Sequence, residues 1–204
     1  MDVVERPAGP RIWSRLGASI QAPLALPAGH VLVVTGGRRT GKTSACVRSV
    51  ERARRLGLDC AGLLSPARLE DGERVGSDVV DIRSGKRRHL SDIVQDDMGG
   101  RPRHRFDPDG LAWANERLRD ACPAELLVID ELGPLELRFQ QGWTNALDAL
   151  TPGAFGLAIV VVRPALLARL QAVLRQQLGP LDSLVTVIGP DRLVPLLEQQ
   201  EVLL

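Results

Sequence analysis

Four runs of consecutive apolar residues alternate along the chain with stretches in which apolar residues recur every three or four positions. An unbroken apolar run is typical of a strand covered on both faces, whereas the wider spacing is typical of a helix with one buried face. The predicted strands are Val31 to Thr35, Leu126 to Asp130, Leu157 to Val162 and Leu184 to Ile188. This alternation predicts an α/β domain in which parallel strands are joined by helical crossovers.

The helical patterns lie between these runs. Pro164 is suited to open one helix, because its fixed φ matches the first helical position. The positions that mark the four patterns are Leu111, Leu118 and Cys122; Phe139, Trp143, Leu147 and Leu150; Leu167, Leu170 and Leu174; and Arg192 to Gln200. We expect Trp113 and Trp143 to pack in the core or at its rim.

Two segments depart from the alternation. Between residues 60 and 106, Cys60 to Ser65 reads as a strand, and Ser77 to Ile82 and Lys86 to Leu90 flank Ser84-Gly85 as an inserted β-hairpin. Residues 1–29 contain four prolines and predict an extended N-terminal lead-in. The sequence thus predicts a lead-in over residues 1–29 and one domain over residues 30–204.

The first apolar run leads into a glycine-rich loop of the form GxxxxGKT, within the stretch HVLVVTGGRRTGKTS. Such a loop turns successive backbone N–H groups inward around phosphate oxygens, because its glycines carry no β-carbon. The helix that follows directs its positive dipole end at the same phosphates. The predicted nucleotide-binding residues are Gly36, Gly37, Arg38, Arg39, Thr40, Gly41, Lys42, Thr43 and Ser44.

Two side chains of this loop have predicted roles in binding phosphate and metal. Lys42 is placed to reach the β- and γ-phosphates, and the Thr43 hydroxyl is placed to ligate Mg²⁺. The chain has 24 Arg and only two Lys, so a Lys in the loop indicates a site that needs a slim point charge. The sequence before and after the loop predicts the strand and helix that this motif requires.

The second candidate motif is LLVIDEL, an apolar strand that ends in an acidic pair. The carboxyl ends of parallel strands form the ligand-binding edge of an open α/β sheet. Asp130 is therefore predicted to bind Mg²⁺ through water. Glu131 is the candidate general base or water-positioning group. The guanine-reading NKxD sequence of Ras-like GTPases does not occur in the chain.

Arginines provide further candidates for contact with phosphate. Arg163 follows the strand LAIVVV and is interpreted either as a catalytic group that neutralises the γ-phosphate or as a surface residue. Arg38 and Arg39 lie in the middle of the loop, where side chains usually point outward. The basic clusters Arg83 to His89 and Arg101 to Arg105 either close over a polyphosphate or form solvated faces of the hairpin.

Composition narrows the classes of partner. The formal net charge is +1, Tyr is absent, and three Trp and three Phe are present, which argues against nucleic-acid binding. Cys46, Cys60 and Cys122 have no CxxC spacing and predict neither a disulfide framework nor a zinc site. No apolar run is long enough to span a membrane, and the N-terminus lacks the pattern of a secretory signal. We therefore expect a cytoplasmic protein with no membrane partner.

With these motifs in view, the chain resembles the small P-loop nucleoside-triphosphatase family that includes the human cancer-related nucleoside-triphosphatase and its thermophile relatives. Three segments carry the resemblance: GGRRTGKTS, GLLSPARLEDGERVGSDVVDIRSGKRRHLS and VIDELGPLEL. The last is similar to the DEIG-x-MEL element of that family. The resemblance implies a three-layer P-loop domain with a RecA-like, mostly parallel sheet. It also implies slow, Mg²⁺-dependent hydrolysis of several nucleoside triphosphates.

By matching motifs, the resemblance gives Lys42, Thr43, Asp130 and Glu131 the phosphate, metal and base roles. The chain departs from the family pattern at three places. Ser77 stands where an aromatic residue is expected, and Pro134 where a charged residue is common. The sequence Pro190-Asp191-Arg192 replaces the family's Asn-Arg-Asp.

Three functions are compatible with these observations. The first is a Mg²⁺-dependent nucleoside-triphosphate phosphohydrolase of broad base specificity, acting on ATP, GTP or other triphosphates. The second is a nucleotide or small-molecule kinase in which the arginine clusters cover donor and acceptor. The third is a nucleotide-gated switch or assembly factor that binds a protein partner through the lead-in or the basic hairpin.

Overall fold

The structure, a computed structural model, describes residues 29–95, 102–180 and 184–201. The lead-in predicted over residues 1–29 lies outside these residues, apart from Gly29. Among the described residues, no helix has both the length and the apolar character that crossing a membrane requires.

Five parallel strands form the centre of the sheet, in the order β2-β7-β8-β1-β9. The side chains of β2, β7, β8 and β1 are mostly buried, as the unbroken apolar runs predict, whereas those of the edge strand β9 are partly exposed. The bounds of the five strands are His30–Thr35 (β1), Cys60–Leu64 (β2), Ala124–Leu132 (β7), Phe155–Val162 (β8) and Val185–Ile188 (β9). This arrangement confirms the predicted RecA-like, mostly parallel sheet.

Helices cover both faces of this sheet and give the predicted three layers. On one face, α1 and α6 contribute to one hydrophobic cluster, and α2 to α5 contribute to a second cluster on the other face. Asp107 caps α2 by accepting a hydrogen bond from the Gly110 amide at 2.9 Å. The helices are Lys42–Arg55 (α1), Pro108–Arg119 (α2), Pro134–Phe139 (α3), Asn145–Asp148 (α4), Leu167–Leu178 (α5) and Pro190–Glu201 (α6), with a 3₁₀ turn over Pro164–Leu166.

Four antiparallel strands extend the sheet beyond β2, and we call them the antiparallel insertion. They are Ala67–Glu70 (β3), Glu73–Asp81 (β4), Arg87–Val94 (β5) and Arg103–Phe106 (β6). The hairpin predicted around Ser84-Gly85 is confirmed as β4 and β5. The sequence did not predict β3 and β6, because these short strands are largely exposed and carry no apolar run.

The single helix predicted from Phe139 to Leu150 is wrong, since α3 ends at Phe139 and the short helix α4 begins only at Asn145. The chain turns at Gln140 and Gly142, which have φ values of 52° and 71°. Glu136 fixes the turn, because its carboxylate accepts hydrogen bonds from the amides of Gly133 at 2.8 Å and Trp143 at 2.9 Å. Trp143 is buried, as predicted, but Phe139 is 62% exposed and does not face the core.

Arg83 ties the antiparallel insertion to the parallel core. Its guanidinium donates to both carboxylate oxygens of Asp59, at 3.3 and 2.7 Å. It also donates to the carbonyl oxygens of Asp120, Ala121 and Pro123, at 2.9, 3.1 and 2.9 Å. Because five hydrogen bonds hold the guanidinium group, the Arg83 side chain serves as a structural clamp between the insertion and the core.

Strands β2 and β7 approach each other closely at Gly62. Gly62 has a φ of 103°, and a β-carbon at this position would lie 2.0 Å from the carbonyl oxygen of Val128. Glycine is therefore required here both for the backbone conformation and for the space between the strands. The strand that Gly62 shapes leads directly to Ser65, which takes part in the site described below.

We expect Gly62→Ala to destabilise the protein by at least about 2 kcal/mol, because it adds a steric clash to a strained backbone. Chemical denaturation measures this change. Gly57→Ala is the matched control, since Gly57 also has a positive φ, of 76°, but open space around its β-carbon position. The control should cost about 1 kcal/mol, and equal losses in the two variants would contradict the close approach.

Candidate functional site

The predicted phosphate loop connects β1 to α1 and has the backbone of a tight cradle. Arg39 and Gly41 both adopt left-handed conformations, with φ values of 60° and 83°. The Thr40 hydroxyl donates to the Gly37 carbonyl at 3.0 Å and stabilises the turn. The loop thereby brings its residues to the N-terminus of α1, where unpaired amides favour anions.

Lys42 lies across this loop. Its ammonium group donates to the carbonyl oxygens of Gly36 at 3.0 Å and of Gly37 at 2.5 Å. The two contacts hold the positive charge at the loop, where the phosphates of a nucleotide are predicted to bind. Contact between Lys42 and the phosphates of a nucleotide stays a prediction.

Asp130 joins the two predicted motifs. Its carboxylate accepts a hydrogen bond from the Thr43 hydroxyl at 3.3 Å and one from the Ser65 amide at 3.1 Å. The residue is 1% exposed, and burial raises its pKa to about 6. The sequence reasoning missed Ser65, although its place after the strand next to β7 would have indicated it.

A β-bulge at the end of β7 directs both acidic side chains into the site. Ile129 pairs with Val160 and Leu132 with Val162, so two residues of β7 oppose one residue of β8. A regular strand would send successive side chains to opposite faces. With the bulge, Asp130 and Glu131 line the same cavity.

Arg163 lies beside Glu131, as predicted from its position after β8. Its Nε donates to the Glu131 carboxylate at 2.5 Å, and the two side chains are 39% and 30% exposed. Both line the cavity. Arg163 is therefore the ion-pair partner of the candidate base, and its catalytic role stays a prediction.

The cavity bounded by these residues has a volume of about 380 Å³. Arg38, Arg39, Lys42, Arg74 and Arg163 outnumber the two carboxylates in its wall, so the lining carries excess positive charge. The rest of the lining comprises Thr40, Gly41, Thr43, Ser44, Ser65, Ile93, Gln95, Pro102 and His104. Such a lining suits a polyphosphate.

The two predicted basic clusters differ in their position. The segment from Arg83 to His89 supplies no lining residue, and its first member is the clamp described above. In the second cluster, Pro102 and His104 line the cavity, whereas Arg101 is outside the described residues. Sequence reasoning did not single out Arg74 or His104, because their proximity to the phosphate loop depends on the path of the antiparallel insertion.

Asp130→Asn should stabilise the nucleotide-free protein at pH 7.5 by about 1–3 kcal/mol, because it removes a buried charge. The pKa of Asp130 is raised to about 6 in the folded protein, against about 3.9 when unfolded. Stability from the protonated carboxyl is thus fully present below about pH 4 and is lost as the pH rises through about 6. Urea denaturation in the presence of a chelator measures the free energy of unfolding. The values for the wild type and the variant should become equal near pH 4. A less stable variant at pH 7.5 would contradict the expectation.

Comparison with known proteins places this site in a family. Residues 31–178 match the protein family described as NTPase. The nucleoside-triphosphatase THEP1 of Methanopyrus kandleri is 31% identical over 131 residues, which are 62% of this chain and 72% of the relative. THEP1 of Thermofilum pendens is 28% identical over 174 residues, covering 82% of this chain and 93% of the relative.

Two solved structures share the fold. The solution structure of a human cancer-related nucleoside triphosphatase aligns with a TM-score of 0.61 and 23% identity, covering 85% of this chain and 97% of that one. The crystal structure of THEP1 from Aquifex aeolicus aligns with a TM-score of 0.53 and 17% identity, covering 84% and 96%. Together with the family match, these similarities confirm the resemblance noted in the sequence: the chain belongs to the NTPase family.

Proposed function

We propose that the protein is a Mg²⁺-dependent nucleoside-triphosphate phosphohydrolase of broad base specificity, converting a triphosphate and water into a diphosphate and phosphate. One observation carries this proposal: the Thr43 hydroxyl lies 3.3 Å from the Asp130 carboxylate. This contact joins the phosphate loop to the acidic end of β7. It thereby brings the group that binds substrate next to the group predicted to bind metal.

The donor set fits Mg²⁺. A hydroxyl and a buried carboxylate are hard oxygen ligands, and Mg²⁺ is commonly held by one or two carboxylates together with phosphates and water. In keeping with so few protein ligands, the described part of the chain contains no cluster of three or more His, Cys, Asp or Glu able to hold a metal. Thr43 and Asp130 would hold the ion, which neutralises charge on the phosphate oxygens when bound.

Each of the remaining side chains has its own role in hydrolysis. Lys42 and the loop amides bind the phosphates and stabilise charge on the transferring phosphoryl group. Glu131 orients a water molecule and accepts its proton as the water oxygen bonds to the γ-phosphorus. The bond from that phosphorus to the bridging oxygen breaks, and the diphosphate leaves. Arg163 positions Glu131 through their ion pair and supplies positive charge beside the reacting phosphate.

Broad base specificity is supported by the chemistry of the lining. The described residues around the cavity include neither Phe nor Trp and are mainly cationic or hydroxyl-bearing. These side chains recognise phosphate, which all nucleoside triphosphates share, whereas base selection needs contacts to a ring edge or face.

Phosphate release from ATP, GTP, CTP and UTP tests the proposal as a whole. We expect turnover of all four with Mg²⁺, with rates within about tenfold of one another because the lining recognises phosphate, and no turnover after chelation. Hydrolysis of only one of the four triphosphates would contradict broad base specificity. Undiminished turnover in the presence of the chelator would contradict the dependence on Mg²⁺. Negligible hydrolysis, together with diphosphate formed one-for-one with a phosphorylated product once a metabolite is added, would point to a kinase.

Glu131→Gln tests the proposed base. We expect kcat to fall by about 10²–10⁴-fold, because an amide cannot accept the proton of the attacking water. Nucleotide affinity, measured by calorimetry, should be retained. Glu51→Gln is the control, since Glu51 is exposed on α1 and does not line the cavity. Undiminished turnover in Glu131→Gln would remove this residue from the proposed role.

A further inference from the structure

The antiparallel insertion forms one wall of the cavity. Arg74 on β4 and His104 on β6 line the cavity together with Lys42, Glu131 and Arg163. Neither residue belongs to the phosphate loop or to the acidic end of β7. The cavity is thus enclosed from two sides, by the phosphate-binding edge of the parallel sheet and by the insertion.

His104 is held at this wall by a chain of hydroxyl groups. Its Nδ1 lies 3.2 Å from the Ser91 hydroxyl, and that hydroxyl lies 2.7 Å from the Ser77 hydroxyl. Both serines are buried, which fixes the imidazole from behind. The strand pairing of His104 with Ile93 sets its position along the cavity. Nε2 is then the ring nitrogen that remains for a ligand.

Within the described parts of the chain, Arg74 makes one hydrogen bond. Its Nε donates to the Gly76 carbonyl at 3.3 Å, and its two terminal nitrogens make no hydrogen bond to any of the described residues. A guanidinium with both terminal nitrogens free matches the geometry of a phosphate group. The side chain therefore lines a cationic cavity with its strongest phosphate-binding atoms unused.

This wall lines the same cavity as Glu131 and Arg163, and His104 lies within the electrostatic influence of both. Partial burial lowers the pKa of His104, and the positive charges of Arg74, Arg163 and Arg38 lower it further, whereas Glu131 opposes them. Glu131 and Arg163 are the residues proposed to act at the γ-phosphate. Because Arg74 and His104 line the same cavity as these two residues, they are candidates to contact the phosphate that a triphosphate has and a diphosphate lacks.

We propose that Arg74 and His104 bind the terminal phosphate, so that the antiparallel insertion distinguishes a nucleoside triphosphate from the diphosphate product. This role rests on the proposed function and deepens it. The guanidinium supplies charge and paired donors, and the neutral imidazole supplies one N–H donor from Nε2. The diphosphate would keep its contacts to the loop but lose both of these, which favours release of product.

The test compares the affinities of Arg74→Ala and His104→Ala for a non-hydrolysable triphosphate analogue and for the diphosphate, both with Mg²⁺, by calorimetry. Loss of a charged hydrogen bond should weaken triphosphate binding by about tenfold or more in Arg74→Ala. His104→Ala should lose about three- to tenfold, because its donor is neutral. Diphosphate affinity should change by less than about twofold in either variant, which also shows that the loop is intact.

Arg88→Ala is the matched control, because Arg88 is an exposed arginine of the same insertion that does not line the cavity. It should bind both nucleotides as the wild type does. Equal weakening of triphosphate and diphosphate in Arg74→Ala would overturn the proposal, as would unchanged binding of both.

The same titrations separate this inference from the proposed hydrolysis. If the wild type releases phosphate but Arg74→Ala keeps full selectivity for the triphosphate, only the role of the insertion fails. If the wild type releases no phosphate but Arg74→Ala still loses its preference for the triphosphate, hydrolysis fails and the binding role stands.

Discussion

The site depends on one buried carboxylate. Asp130 connects the phosphate loop to the end of β2 through its contacts with Thr43 and Ser65. Because the side chain is 1% exposed, water cannot solvate its charge, and two hydrogen bonds from neutral donors compensate only in part. The result is a carboxyl whose ionised form is less favourable than in water, and the proposed Mg²⁺ would stabilise that form. A group destabilised in this way is typical of functional sites, where stability is given up for binding.

The charge around this carboxylate follows the same principle. Glu131 and Arg163 neutralise each other across the end of β7, whereas the arginines of the loop and of the insertion leave the cavity with excess positive charge. In the proposed function, an incoming triphosphate would supply the missing anions and offer Arg163 a second partner. Substrate binding and the positioning of the proposed catalytic groups would then be linked through shared electrostatic partners. The antiparallel insertion contributes to this balance as well as to the shape of the cavity.

Most of the parallel core could be predicted, because its strands are long apolar runs. The segments between them show the apolar spacing that is typical of helices. The GKT loop and the acidic pair could be predicted as well, since each motif has a fixed spacing that the chemistry of phosphate requires. The predictions were less successful where local signals are weak. The exposed strands β3 and β6 carry no apolar run, and the helix predicted through Gln140 ignored a turn that Glu136 stabilises from within the fold.

By itself, the sequence determined the α/β class, the phosphate loop and the identity of its acidic partner, because these are encoded in neighbouring residues. The tertiary structure decided which distant residues complete the cavity. The bulge at Asp130 and Glu131 arises from pairing with β8, the Ser65 amide is supplied by an adjacent strand, and Arg74 and His104 arrive through the insertion. Such placements depend on contacts between segments far apart in the chain, and local patterns carry no record of them.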